Sequence, residues 1–293
     1  AVVSRGYEYE ILDAPVTAGA TTTVAASLAR SVDTTGYLCG DFHVHTHYSV
    51  DSGDPPELKI SGLVAEGIEL PLFSDHEWIA NPQTTVVALG LDDQVTGLIS
   101  SELTTFEYGH FGLVPLEPIA GAPNEGAVDW TFKSPQEVFD EVHDRPEAPL
   151  IIVNHPRSPS IGGYFNAAKL DRETGEGNEI WSDDFDLIEV FNGSNFNANR
   201  DDSVADWFAF LELGRDMVAV GSSDNHYLRK GPVGYPRTCL YFGHDDAGNV
   251  TPADVRTAFL SGNVTISGGI FVEVEGPNGQ VMGETVTTSD ATV

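Results

Sequence analysis

Nine side chains able to bind a metal recur along this chain in short clusters, most of them directly after a stretch that reads as a β-strand. The first cluster is Asp-Phe-His-Val-His-Thr-His-Tyr-Ser-Val-Asp, which supplies His43, His45 and Asp51. The others are His76 in Ser-Asp-His-Glu, Glu102 in Ser-Glu-Leu-Thr-Thr, His110, His155 in Asn-His-Pro-Arg, and Asp224 with His226 in Ser-Ser-Asp-Asn-His. Imidazole nitrogen and carboxylate oxygen suit zinc, manganese and iron. So many groups exceed what one tetrahedral site uses, and two or three divalent ions are expected. Residues two apart on a strand leave the same face, so His43 and His45, and again Asp224 and His226, can grip an ion together. His47 falls in what reads as loop beyond the strand and stays outside the set.

The motifs resemble those of the polymerase and histidinol phosphatase (PHP) superfamily. Its first motif, His-x-His-Thr followed shortly by Ser-Asp, is matched from His43 to Asp51, its second by Asp75-His76 and its last by Asp224-Asn225-His226. Glu102, His110 and His155 fall between them in the expected order. The flanking runs Gly-His-Phe-Gly-Leu-Val-Pro-Leu and Gly-Ser-Ser-Asp-Asn-His look like the carbaryl-hydrolase-like (CehA/McbA) branch. The resemblance spans roughly residues 36 to 270 and implies a distorted (β/α)7 TIM-like barrel with metals at the C-terminal ends of the strands. It also suggests a first cation on His43, His45, Glu102 and Asp224, a second on Asp51, His76 and His226, and a third on Glu102, His110 and His155, with Glu102 as the bridge. The catalytic roles are assigned within this set to Asp224, Glu102 and His226. Asp75 is read as orienting a ligand rather than bonding metal. Asp41 and Glu77 are read as helpers or solvated neighbours, and His143 and His244 as structural.

Clustered divalent ions lower the pKa of bound water to about 7 and neutralise charge building on an attacked group. The expected activity is therefore hydrolysis, first of a phosphate ester. The alternatives are a carboxylic ester, carbamate or amide attacked at the same metals, or an idle metal-binding module of a larger secreted protein. Arg157, Arg229 and Lys230 stand next to metal motifs in a base-poor chain and are candidates to clamp an anionic substrate, with surface salt bridges as the other reading. No Gly-x-Ser-x-Gly elbow and no P-loop is present.

Elements able to hold such a site are visible. Strand-like runs fall at Tyr37 to Val44, Leu70 to Phe73, Leu98 to Leu103, Leu150 to Val153, Leu187 to Phe191, Met217 to Val220 and Thr238 to Phe242. Three helix starts, at Asp54, Ser134 and Thr251, share a capping side chain, a proline next and a carboxylate at the third position. Arg200 to Leu213 places Val204, Trp207, Phe208 and Leu211 on one helical stripe, read as core. Alternating strands and helices over 293 residues argue for one α/β barrel domain, from residue 36 to 268.

Both ends depart from that rhythm. Residues 1 to 35 read as a β-rich flank, with strands at Tyr7 to Leu12 and Thr21 to Ala26; residues 269 to 293 read as a hairpin about Pro277-Asn278-Gly279. Two isolated strands make no core, so the chain is expected to be a piece of a longer protein. It starts at Ala1 without methionine or a leader, as it would after a signal peptide is removed. A net charge of −31, with 14 basic against 45 acidic residues, disfavours nucleic acid or an anionic membrane as partner and fits an extracellular or periplasmic setting. No apolar run approaches the roughly 18 residues of a membrane span, leaving a small-molecule substrate as the expected partner. Self-association is left open. Cys39 and Cys239 lie on the first and last major barrel strands, which closure would make neighbours, so a disulfide and two buried thiols are both open readings.

Overall fold

In the computed structural model, residues 2–29, 31–159 and 162–287 are described. An N-terminal antiparallel pair, β1 (Val2–Arg5) and β2 (Glu8–Ile11), comes first. The main body begins with β3 (Tyr37–Gly40), α1 (Pro56–Ala65), β4 (Leu72–Phe73), α2 (Pro82–Ala88) and β5 (Leu98–Ile99). It continues through β6 (Ser101–Thr105), β7 (Gly109–Val114), α3 (Pro135–His143), β8 (Leu150–Asn154), α4 (Tyr164–Ala167) and β9 (Leu187–Asn192). The last elements are α5 (Phe196–Asn199), a π-helical turn at Arg200–Val204, α6 (Ala205–Glu212), β10 (Val218–Ser222), β11 (Arg237–Tyr241), α7 (Pro252–Leu260) and β12 (Val264–Ser267).

The architecture is mixed α/β around a five-stranded sheet in the order β10-β9-β8-β7-β6. Pairing is parallel from β10 through β8, while β7 runs antiparallel to both β8 and β6. β12, β11 and β3 form an antiparallel sheet, and β4 pairs with β5. Single bridges at Gly40–Leu70 and His76–Glu102 link these pieces. Between β10 and β11 the link is a side chain: Thr238 Oγ1 bonds the N–H and the carbonyl of Gly221, each at 2.9 Å. Such links are not ladders, and the expected closed (β/α)7 barrel is not seen. Two features interrupt it. The β6–β7 hairpin replaces a βα unit, and Pro71, lacking an N–H, breaks the run Leu70 to Phe73 to leave a two-residue strand. Gly40 is needed where β3 meets β4, since a Cβ there would lie 2.7 Å from the Phe42 ring and 3.1 Å from Leu70 O.

Alternation along the strands builds two cores. Leu103, Phe111, Leu113, Ile151, Val153 and Ile188 face one cluster with α3 and the Tyr164–Phe165 turn; Val114, Leu150, Ile152 and Leu187 face another with Phe42 and Phe259. On that second face the residues nearer the other end of each strand are polar: Glu102, His110, Asn154 and Glu189, all buried. Because β7 is reversed, His110 at its start pairs with Asn154 at the end of β8 and with Thr104 on β6. This face of the sheet is thus apolar at one end of its strands and ligand-bearing at the other.

Ser134 and Thr251 cap α3 and α7 in full capping boxes with Glu137 and Asp254. Asp54 does not cap α1; its Oδ2 accepts the Leu228 N–H at 2.7 Å, tying the helix start to the segment after His226. The helical stripe also differs: Phe208 is 53% and Leu211 38% exposed, while Ser203, Asp206 and Phe210 are buried with Trp207 partly so. Positions 203, 206, 207 and 210 share the face that α6 buries, and Asp206 is admitted there because two arginines pair with it.

At the N-terminus the pairing partner of β2 is β1, and Thr21–Ala26 forms no strand; the chain just beyond it meets β2 through the Glu10 carboxylate, which accepts the Ser27 N–H at 2.8 Å. Past Ser267 the described residues hold a turn, closed by the Gly276 N–H donating to Gln280 O at 2.6 Å, with no strand on either side of Pro277-Asn278-Gly279. Residues 288–293 of the expected hairpin lie outside the described residues. Cys39 and Cys239 face each other in register and form a disulfide. Among the described residues no helix is long and apolar enough to cross a membrane.

Candidate metal centre

His43 and His45 follow β3 on an extended segment held by Val44, which bridges Asn225, and by the His45 N–H donating to Asn225 O at 3.0 Å. Both imidazoles are fully buried. Their neighbours fix the tautomers. Glu189 Oε1 accepts from His43 Nδ1 at 2.9 Å, and Ser49 Oγ, which donates to Asp75, accepts from His45 Nδ1 at 2.9 Å. Asp224 O accepts from His226 Nδ1 at 3.0 Å. Each ring therefore turns a bare Nε2 lone pair inward.

Carboxylates face those lone pairs. Glu102 Oε1 stands 3.1 Å from His43 Nε2 and 3.3 Å from both His110 Nδ1 and His155 Nε2; its Oε2 stands 2.8 Å from His76 Nδ1. Asp224 Oδ1 stands 3.3 and 3.2 Å from Nε2 of His43 and His45. Asp51 Oδ2 lies 3.0 Å from His226 Nε2 and 3.4 Å from His76 Nε2 at the open side of the cluster. All nine expected ligands thus meet in one place. Asp224 and His155 hold φ at +51° and +29°, a left-handed backbone that costs about 1–3 kcal/mol per residue and persists where the surrounding structure over-determines it.

The donor set fits divalent cations. His43 Nε2, His45 Nε2, His110 Nδ1, His155 Nδ1 and Asp224 Oδ1 are buried without a hydrogen-bond partner, an expensive arrangement unless an ion completes it. Three groups have ligand atoms close enough to share an ion: His45, Asp51, His76 and His226; His43, His45 and Asp224; and His43, Glu102 and His155. His45 thus joins the Asp51 group, and His43 joins His155 through Glu102, beyond the sets drawn from motifs alone.

The electrostatics agree. Burial alone would raise the carboxyls of Glu102 and Asp224, yet the surrounding imidazoles, His43 foremost, hold both well below the usual range. Burial likewise opposes protonation of His43, but Asp224, Glu102 and Glu189 raise it well above its ordinary value, whereas burial pushes His45 down to about 4. Without metal, protons on some rings stand in for the missing positive charge.

Asp75 bonds no ligand atom; it accepts from the Thr46 N–H, Thr46 Oγ1 and Ser49 Oγ at 2.6 to 2.8 Å and so shapes the loop carrying His45. Asp41 is buried beneath Ser223 and Gly234, and Glu77 accepts from the Thr104 N–H and Trp130 Nε1. Arg157 gives its guanidinium to Asp206 and to the carbonyls of Phe165 and Leu170. Arg229 and Lys230 are exposed on the loop after His226. His47 is exposed beside Tyr48, His143 sits near Asp184 and Asp186, and the Asp246 N–H donates to His244 Nδ1.

Four positioning residues escape motif reading. Glu189 also accepts the His155 N–H at 2.6 Å, Asn154 Nδ2 donates to Glu102 Oε1 at 2.9 Å, and Asn192 Nδ2 donates to Asp224 Oδ2 at 3.1 Å. Buried Lys59 donates to Asn225 O at 3.0 Å, between two ligands. The one available signal is Glu189, a lone acid inside an apolar strand.

No family model and no curated protein matches the chain. Solved structures do. PsfC from Pseudomonas syringae aligns over 75% of this chain and 88% of its own, at 13% identity and a TM-score of 0.50. A two-domain protein from Bacteroides vulgatus containing a predicted PHP-like metal-dependent phosphoesterase aligns over 78% of this chain at 17% identity and a TM-score of 0.49, and the match spans 64% of that protein. The lesion-specific endonuclease PfuEndoQ from Pyrococcus furiosus aligns over 76% of this chain and 56% of its own, at 15% identity and a TM-score of 0.47. At such identities the likeness is one of fold.

Proposed function

We propose that this chain, a PHP-superfamily protein by the order of its motifs and the meeting of their side chains in one pocket, is a multinuclear metal-dependent phosphoesterase. The carrying observation is the inward turn of unpartnered, buried His43 Nε2, His45 Nε2 and Asp224 Oδ1 toward Glu102. Two or three ions, of zinc, manganese or iron type, would be held by His43, His45 and Asp224, by His45, Asp51, His76 and His226, and by Glu102 with His43, His110 and His155. When bound, they supply water activation at neutral pH and neutralise charge on the attacked phosphoryl group.

The chain's own residues do the rest. Glu102 joins the ligand groups, with Oε1 against His43 and Oε2 against His76. Asp51, 51% exposed in its side chain, and His226 form the open edge by which substrate enters. Asp224, held by Asn192 through Oδ2, keeps Oδ1 free to complete the donor set with His43 and His45. Glu189, Ser49 and the Asp224 carbonyl keep three imidazoles in the tautomer that presents Nε2. The branch reading rests on the run that forms β7, where His110 sits. An extracellular or periplasmic setting is part of the same proposal, supported by the Cys39–Cys239 disulfide, a bond that persists in oxidising compartments.

A metal-reconstituted screen across phosphomonoesters, phosphodiesters, arylesters and carbamates tests the reading, with His155→Ala as control. Phosphoester turnover that His155→Ala abolishes is expected. A flat phosphoester panel beside clear arylester or carbamate turnover would reassign the activity, and silence across the panel would leave a metal-binding module.

A further inference from the structure

A cavity of about 440 Å3 opens beside the centre, with the ligands Asp224 and His226 in its wall. Phe196, Tyr227 and Tyr235 line it, and it holds one lysine, Lys230. Gly268 keeps Phe196 seated there, since a Cβ would come 2.8 Å from its ring.

The charges at this mouth are two adjacent cations on one aromatic ring. Lys230 Nζ lies 4.5 Å, and Arg229 Cζ 5.1 Å, from the centre of the Tyr227 ring. Neither pairs with a carboxylate among the described residues; Arg237 and Arg256, also without one, bond backbone carbonyls instead, while Lys59, Lys133, Arg145, Arg157, Arg172, Arg200 and Arg215 are each paired. With 45 acidic residues against 14 basic ones, carboxylates are plentiful. Two adjacent uncommitted cations, three and four residues past His226, leave a local positive field at a cavity that leads to the metal ligands. The Tyr227 face steadies the ammonium without neutralising it.

We infer that the substrate is two-ended: its scissile group seats on the metal centre, and a second anionic group, carboxylate or phosphoryl, seats against Lys230 in this cavity. The aromatic walls accept the carbon spacer between the two ends, and Arg229 reinforces the field. This rests on the metal-hydrolase reading above, because one end needs the metals.

The test uses the full chain loaded with Mn2+ and calorimetric titration with non-hydrolysable probes. Methylphosphonate offers one anionic end; 3-phosphonopropionate, 4-phosphonobutyrate and 1,3-propanediphosphonate offer two. The two-ended probes are expected to bind about tenfold more tightly than methylphosphonate, an advantage that Lys230→Met cuts to about twofold while methylphosphonate binding stays unchanged. Preference between the carboxylate-ended and phosphoryl-ended probes identifies the second group. Equal affinity for one-ended and two-ended probes, or an advantage that survives in Arg229→Met/Lys230→Met, overturns the inference while methylphosphonate binding leaves the metal centre standing. If methylphosphonate itself fails to bind, the metal reading falls and this inference with it.

Discussion

Glu102 Oε1 lies 3.1 Å from His43 Nε2, with both side chains buried, and this contact joins a fully buried imidazole to the carboxylate that four further histidines, His45, His76, His110 and His155, also approach. Two lone-pair-bearing atoms held so close need a cation or a proton between them. Glu102→Gln removes the charge and keeps the shape, so metal bound per chain is expected to fall by about one equivalent in elemental analysis. Glu189→Gln loosens His43 from behind and is expected to weaken metal affinity about 10–100-fold with the stoichiometry retained at saturation. Wild-type metal content in Glu102→Gln would remove Glu102 as the bridge.

Metal-free protein should show a stability optimum on the acid side of neutrality. The depressed carboxyls of Glu102 and Asp224 contribute stability that is present above their ordinary values of 4.5 and 3.8 and lost as pH falls toward their folded values. For His76 and His155, burial works against protonation but Glu102 raises both, and His43 is raised well above 6.5; their stability is complete below 6.5 and lost as pH rises. His45, lowered to about 4, opposes them by favouring the neutral ring across that interval. The midpoint of thermal unfolding should therefore peak between about pH 4.5 and 6.5 without metal, then move above pH 7 when metal replaces the protons. A metal-free midpoint climbing steadily from pH 6 to 9 would contradict this.

The candidate ligands are legible in the sequence because each sits in a short motif whose residue types have few other uses in combination. What escapes is the second layer. Glu189 hides in Leu-Ile-Glu-Val-Phe, where the apolar pattern of a buried strand masks a single acid, and Asp206 hides on a helix face that pattern reading reserves for hydrophobic side chains. Both are buried polar groups whose partners come from elsewhere in the chain, so the local sequence, which at most marks Glu189 as a lone acid in an apolar run, does not say what they hold. The fold escapes in the same way at β7: a strand with two glycines in the run Gly-His-Phe-Gly has weak propensity, and its pairing with β6 and β8 is what makes it a strand. Thr21–Ala26 shows the converse, good propensity with no ladder formed.

The Cys39–Cys239 bond joins strands 200 residues apart in sequence. Alkylation under denaturing conditions should leave the mass unchanged without reductant and add two labels after reduction. Replacing both cysteines by serine is expected to cost about 2–5 kcal/mol of stability, read by denaturant titration. Labelling of unreduced protein would mean that the bond does not form in solution.

Arg157 follows the candidate ligand His155 by two residues, so a role in gripping substrate and a role in holding the fold predict different outcomes for one substitution. Its Nε and one terminal nitrogen each lie 2.8 Å from an oxygen of Asp206, a carboxylate with no exposure, and Arg172 Nε lies 2.5 Å from the same group. Breaking a buried pair by removing one partner typically costs about 3–5 kcal/mol. Arg172 remains to share the charge and Arg157 is itself partly solvated, so Arg157→Ala is expected to cost about 2 kcal/mol. Asp206→Asn should destabilise similarly although it touches no part of the metal centre, and the double variant should lose less than the sum of the two. KM for a hydrolysed substrate should stay near the wild-type value in the variants that fold, because the guanidinium is engaged by Asp206 and not by the cavity beside His226. An unchanged unfolding midpoint with a raised KM in Arg157→Ala would reverse the assignment and return Arg157 to the substrate.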